Sequence, residues 1–143
     1  MSLQLEQVIL FLIDQTSKKS KRHAQRFFDE RNMNITADQW VLLKIIEENE
    51  GSSQKILANK TYRDTASITR TLDLLEKKGY IQRRTMLGNR RQYEVYLTAF
   101  GKSFIAKHMD LVSELRVESL AGLSEEDIQN LKRILLRMQE NFE

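Results

Sequence analysis

Apolar positions recur at helical spacing over most of the chain. From about Leu3 to the region of Asn32, Leu5, Val8, Ile9 and Leu12 follow a helical period, and Leu10, Phe11 and Ile13 make the first part apolar on nearly every side. A helix that is apolar all round has to be covered all round. In a chain of 143 residues the simplest cover is a second copy. Thr36 and Gln39 have the spacing of a capping box, which predicts a helix that turns Trp40, Leu43 and Ile46 inward and ends at Gly51. Ser52 or Ser53 caps a short helix carrying Ile56, Leu57 and Ala58, and Asp64 or Thr65 caps another with Ile68, Leu72 and Leu75 on its buried face, stopped at Gly79. The period then changes. Tyr80–Arg84 and Gln92–Leu97 read as two strands around the turn pair Gly88-Asn89. A long helix is expected from about Thr98 to Ser119. Ser124 and Asp127 open a last one, with Ile128, Leu131, Ile134, Leu135 and Met138 along one side.

The predicted fold class is therefore mainly α with a small β-hairpin wing: a winged helix-turn-helix with N- and C-terminal dimerisation helices. The whole chain, 1–143, is read as a single domain. Residues 34–98 hold the three short helices and the hairpin, and 1–33 with 99–143 hold the flanking helices. Leu5, Val8, Ile9 and Leu12 at one end and Ile128, Leu131, Leu135 and Met138 at the other are the expected dimer contacts.

Composition narrows the chemistry. The chain has no proline and five glycines, so helix is little interrupted and the glycines act as punctuation. It has no cysteine, which removes disulfides, thiolate metal sites and thiol-based sensing. The run Val8–Ile13 is too short to span a bilayer and lacks the surroundings of a signal peptide, so no membrane partner is expected and the location is read as cytoplasmic. Net charge is only +3, but it is unevenly placed. Between Arg63 and Arg91 eight bases face three acids, whereas the stretch from Glu114 to the end is net acidic. A basic middle is what a phosphate-facing surface requires.

Three short helices followed by a hairpin is the order in which a recognition helix enters a major groove and a wing reaches the adjacent minor groove or backbone. If Ile68, Leu72 and Leu75 face the core, the opposite face of the Thr65–Lys78 helix presents Ala66, Thr69, Arg70, Asp73 and Lys77. The small residues permit close approach. Arg70 can bond guanine bidentately, Ser67 and Thr69 can reach a base edge or a phosphate, and the helix start at Thr65 favours a phosphate. Most such helices merely have a solvated polar face; four arginines in the hairpin, Arg83, Arg84, Arg90 and Arg91, shift the balance. The DNA-binding set is Ser53, Gln54, Thr65, Ala66, Ser67, Thr69, Arg70, Lys77, Arg84, Asn89, Arg90 and Arg91.

Thr69-Arg70 with Leu75-Glu76-Lys77-Lys78-Gly79-Tyr80-Ile81-Gln82-Arg83-Arg84, then Arg90-Arg91 and Val95-Tyr96-Leu97-Thr98-Ala99-Phe100-Gly101, resembles the MarR family of bacterial regulators. Upstream, Ile35-Thr36, Gln39-Trp40, Leu43 and Gln54-Lys55-Ile56-Leu57-Ala58 fit the same pattern. The resemblance implies a triangular homodimer with interlocked terminal helices and two winged domains on double-stranded DNA at a pseudo-palindromic operator. It also implies a sequence-specific transcriptional regulator, with repression as the expected direction, often loosened by a small ligand. The wing tip departs from the family. Where an Asp-Pro-x-Asp-Arg-Arg run is usual, this chain has Met86-Leu87-Gly88-Asn89-Arg90-Arg91, so both aspartates are missing and Asn89 offers only a neutral hydrogen bond. A more mobile and more positive tip is expected.

Phe11, Phe27, Phe28, Trp40, Phe104 and Met109 are the candidate lining of a pocket for a small aromatic or amphipathic effector, although such residues at helical spacing more often form plain core. The cluster Lys18, Lys19, Lys21, Arg22 and Arg26 reads as a solvated face. His23 and His108 have no compact set of carboxylates beside them, so no metal and no cofactor is expected. Without a cysteine nucleophile, a glycine-rich phosphate loop or a recognisable Ser/His/Asp set, the chain is not read as an enzyme. The rival reading is a winged-helix module that binds protein without specific DNA binding.

Overall fold

The computed structural model describes residues 2–143, except for the side chains of Asn89 and Arg90. Six α-helices and three short strands follow one another: α1 Ile9–Glu30, α2 Ala37–Glu48, β1 Ser52–Ser53, α3 Gln54–Thr61, α4 Thr65–Lys77, β2 Ile81–Met86, β3 Asn89–Leu97, α5 Ala99–Ser119 and α6 Glu125–Glu140. The chain forms two compact units, Met1–Leu111 and Val112–Glu143. No helix among the described residues is long and apolar enough to cross a membrane.

The helix starts follow the side chains that can cap them. Thr36 Oγ1 accepts from the Gln39 amide at 3.0 Å while Gln39 Oε1 accepts from the Thr36 amide at 3.1 Å, a complete capping box for α2. Ser53 Oγ accepts from Ile56 N–H at 3.2 Å and Asp64 Oδ1 from Ser67 N–H at 2.8 Å, so α3 and α4 each begin on a side-chain oxygen. The N-terminal helix differs from expectation. A 3₁₀ turn occupies Leu5–Gln7, Val8 is extended (φ −82°, ψ 120°), and α1 starts only at Ile9. Val8 has no side-chain oxygen to cap the free amides, so the apolar period continues through a point where the backbone does not.

The core of the first unit is built from Phe27, Phe28, Met33, Ile35, Trp40, Leu42, Leu43, Ile46, Leu57, Ile68, Leu72, Leu75, Tyr80, Ile81, Val95, Leu97, Phe104 and Ile105, all buried. The sheet has the antiparallel order β1-β3-β2, with Ser52 opposite Val95 on one side of β3 and Arg83 opposite Val95 on the other. A register shift between Thr85 and Met86 marks the wing tip.

Two glycines set the passage out of α4. Gly79 (φ +85°) lets its own amide reach Glu76 O and the Tyr80 amide reach Leu75 O, both at 3.0 Å, the paired bonds of a Schellman ending. Gly101, in the first turn of α5, lies against the Tyr80 backbone: a Cβ placed there would come within 2.1 Å of the Tyr80 carbonyl oxygen. Thr98 completes the joint, its Oγ1 donating to Gly79 O at 2.6 Å and its amide to Tyr80 O at 3.0 Å. The end of α4 and the start of α5 are thus held backbone to backbone.

In the second unit Ser124 and Asp127 cap α6 reciprocally, both bonds at 3.0 Å. None of the residues of α6 is buried; Leu131, Ile134 and Leu136 are exposed, and Ile128, Leu135 and Met138 are half-buried.

Candidate nucleic-acid interface

Burying Ile68, Thr71, Leu72 and Leu75 leaves Thr65, Ala66, Arg70, Asp73 and Lys77 exposed along α4, with Thr69 half-buried. The polar side chains are sorted by how firmly they are held. Arg70 and Lys77 reach solvent with no ion pair among the described residues. Ser67 is committed: its hydroxyl accepts from Arg63 Nη2 at 2.6 Å and Nε at 3.1 Å, and the same Nη2 reaches Thr71 Oγ1 at 2.9 Å. Arg63 therefore braces α4 from the turn that precedes it. Thr69 Oγ1 donates back to Thr65 O at 2.9 Å, a common use of threonine inside a helix.

Asp73 is committed too. Its Oδ1 accepts from Arg83 Nη2, on β2, at 2.6 Å, and Glu76 Oε1 accepts from that nitrogen at 2.9 Å. Arg83 Nη1 also donates to Gln54 Oε1 at 3.2 Å, and Gln54 Nε2 lies 3.4 Å from Thr69 Oγ1. The Arg83 side chain is 15% exposed, and its guanidinium carbon lies 5.9 Å from the centre of the Tyr93 ring. These hydrogen bonds from Arg83 hold the Glu76 carboxyl below its ordinary value, and the bond to Glu76 raises Arg83 in turn. Arg84, beside it, points the other way and covers the Tyr96 ring at 4.3 Å, while Tyr96 donates to Glu94 Oε2 at 2.7 Å. That bond raises the Tyr96 hydroxyl above its usual range.

Where α3, α4 and β3 meet, Ser53, Gln54, Lys55, Thr65, Arg91, Gln92 and Tyr93 line a cleft of about 150 Å³. Two helix N-termini, with their free amides and positive dipole ends, open beside one arginine and one lysine. Four residues singled out in the sequence, Ser53, Gln54, Thr65 and Arg91, come together here. Lys55 was missed, although its place two residues after a capping serine was a usable signal. Arg83 was seen only as one of four wing arginines. Its role as a bridge has no local sequence signature, because its partners lie seven, ten and 29 residues away. The expectations for Asn89 and Arg90 concern side chains outside the described residues.

The six residues proposed for an effector pocket are placed unevenly. Phe27, Phe28, Trp40 and Phe104 are buried in a run of ring contacts with centroid separations of 6.4, 6.4 and 6.2 Å, and Tyr80 joins Phe104 at 4.5 Å. Phe11 and Met109 are half-buried. Of the six, Phe104 alone lines a surface groove of about 290 Å³, with Asn32, Met33, Phe100, Ser103, Lys107 and His108. Among the expected dimer contacts Leu5, Ile9, Leu12 and Leu131 are exposed, while Val8, Ile128, Leu135 and Met138 are half-buried.

A sequence model of the MarR family matches residues 35–93, the segment that runs from before α2 into β3. The chain is 27% identical to the transcriptional regulator SlyA over 94% of its own length and 93% of that chain, with a TM-score of 0.81. Over residues 35–93 this chain is similar to the MarR family. It is also 25% identical to a probable transcriptional regulator from Pseudomonas aeruginosa, covering 94% of this chain and 99% of that one at a TM-score of 0.81. A mutant MarR from E. coli crystallised with operator DNA shares the fold at a TM-score of 0.85, with 24% identity over 96% of this chain and 99% of that one. The six-helix, three-stranded arrangement is thus the winged-helix fold of MarR-family structures, with α3–α4 as its helix-turn-helix and β2–β3 as its wing.

Proposed function

We propose that this chain is a regulator of the MarR type, a sequence-specific DNA-binding transcriptional regulator that acts as a homodimer. The observation that carries the reading is the α3/α4/β3 cleft, where two helix N-termini meet Lys55 and Arg91, together with Arg70 and Lys77 of α4, which are exposed and form no ion pair among the described residues. Donors of this kind, clustered on the exposed face of a helix and on the wing, match a phosphate backbone and an adjacent groove. The operator DNA bound by the E. coli neighbour supports duplex DNA as the ligand class.

In this reading α4 enters the major groove. Arg70 reads a base edge, and Thr65, Ala66 and Thr69 allow close approach. Ser53, Gln54 and Lys55 hold a phosphate, and the wing with Arg84, Asn89, Arg90 and Arg91 lies over the minor groove or its backbone. Ser67 supports the helix through Arg63. The DNA-reading part is 34–98, and the terminal segments 1–33 and 99–143 supply the dimer contacts. Two copies place two α4 helices on half-sites about 34–36 Å apart on a pseudo-palindromic operator. Bound across a promoter, such a dimer represses, and a small aromatic or amphipathic effector that alters the separation of the two helices releases it.

The test is fluorescence anisotropy on duplexes taken from upstream of the gene, across a salt series. Wild-type affinity is expected to fall steeply with salt, and Arg70→Ala to relax base preference at one position of each half-site, about 1–3 kcal/mol. Arg91→Ala is expected to weaken all duplexes alike and to reduce the slope by roughly one contact per wing. Duplex binding that is absent or insensitive to salt sinks the reading in favour of a protein partner.

A further inference from the structure

We infer that Arg83 is a positioning residue for duplex binding, one that fixes the wing to the recognition helix and keeps Asp73 and Glu76 from competing with the DNA phosphates. The inference rests on the DNA-binding reading above and concerns an arginine that, in this structure, faces inward.

An arginine in a basic wing would ordinarily be counted among the phosphate contacts. The geometry here argues otherwise. Arg83 Nη2 is held by Asp73 at 2.6 Å and by Glu76 at 2.9 Å, Nη1 by Gln54 at 3.2 Å, and its backbone amide by Glu76 Oε2 at 3.3 Å. With 15% of its side chain exposed, its donors are spent on the protein. The partners come from two elements, Asp73 and Glu76 from α4 and Gln54 from α3, and Arg83 itself stands on a third, β2. One planar cation thus ties both helices of the helix-turn-helix to the wing. A lysine, with a single point of charge, cannot make the same fork.

The acids matter as much as the joint. Asp73 and Glu76 are 56% and 42% exposed on the helix that presents Arg70 and Lys77. Asp73 stands three residues after Arg70 and four before Lys77, the spacings at which helix side chains pair. Released from Arg83, Asp73 would draw one of those two cations away from the DNA, and both carboxylates would repel phosphate. The lowered Glu76 carboxyl and raised Arg83 agree with a pair that stays ionised and closed.

Two measurements on the full chain test this. In the free protein, ¹⁵N relaxation of Arg83→Gln is expected to drop the wing-tip amides, residues 85–92, below an order parameter of about 0.6 while α4 stays ordered. In anisotropy titrations Arg83→Gln is expected to lose about thirtyfold or more in duplex affinity. Its salt slope should fall by more than the roughly 0.9 that one lost phosphate contact accounts for. The triple variant Asp73→Asn/Glu76→Gln/Arg83→Gln should regain at least about fivefold, because the uncovered charges are gone. Arg83→Lys, which keeps the charge and loses the fork, should fall between wild type and Arg83→Gln, and it serves where Arg83→Gln does not fold. An unchanged wing in Arg83→Gln, a triple variant no tighter than the single one, or wild-type behaviour of Arg83→Lys overturns the inference. If the wild type binds no duplex, the regulator reading fails by itself, and the relaxation data still decide whether Arg83 ties the wing.

Discussion

Asp64 shows how much one side chain decides at the N-terminus of α4. Its carboxylate accepts the Ser67 amide at 2.8 Å, so Asp64→Ala is expected to cost about 1 kcal/mol, read as a lower midpoint in urea with an unchanged slope. Gly101 is the harsher case. A methyl group there meets a backbone oxygen held by two helices and has no room to move aside, so Gly101→Ala should destabilise by about 3 kcal/mol or more, measured the same way. Glu76 sets an acid limit. Its folded-state carboxyl lies below the ordinary 4.5, so the stability it contributes is present above that value and is lost as pH falls through the lower, folded one. Glu76→Gln should therefore lower stability modestly at neutral pH and flatten the curve by the same amount on the acid side of about pH 4.5, both changes small because the group is substantially exposed. Urea midpoints collected between pH 3 and 7, roughly the range where carboxylates titrate, decide it.

At the level of elements, the signals that were legible were local. Thr36 with Gln39, Ser53, Asp64, Gly79 and Ser124 with Asp127 each carry a start or stop within three or four residues, and the structure uses every one of them. What the pattern missed depends on distant partners. Ser52 and Ser53 become a strand only because Val95 and Glu94 pass beside them, more than forty positions later in the chain. The break at Val8 was hidden because apolar periodicity reports which side of a segment is greasy, not whether its first amides have acceptors. The basic helix and wing were legible, but the division of labour among their arginines was not: Arg63, Arg70, Arg83 and Arg84 are the same residue type with four different sets of neighbours. The wing tip gives a prediction on its own scale. Replacing Asn89 by aspartate restores a carboxylate beside Arg90 and Arg91, so Asn89→Asp should sharpen discrimination between A·T-rich and G·C-rich flanks, where a narrow minor groove favours arginine. Equal affinity for the two kinds of flank in both proteins would count against a reading role for the tip.

Considered whole, the chain leaves unusual amounts of apolar surface uncovered at its two ends. Leu3, Leu5, Ile9 and Leu10 are each more than half exposed in one unit, as are Val117, Leu136 and Phe142 in the other. Scattered single side chains would need no explanation, but groups of large apolar side chains exposed in both terminal segments do. If a second copy covers them, Leu10→Asp or Leu136→Asp should shift sedimentation from dimer to monomer, and wild-type thermal stability should rise with protein concentration. A concentration-independent melting curve for the wild type would contradict the dimer. These uncovered ends also bear on inheritance. The surfaces proposed for pairing lie outside the helix and wing proposed for DNA, so a copy damaged at Arg70 or Arg91 keeps its ability to pair. In a cell making both forms, such a copy would draw intact subunits into mixed dimers with one working half. Missense changes in α4 or the wing should then behave as dominant, and loss of the terminal helices as recessive.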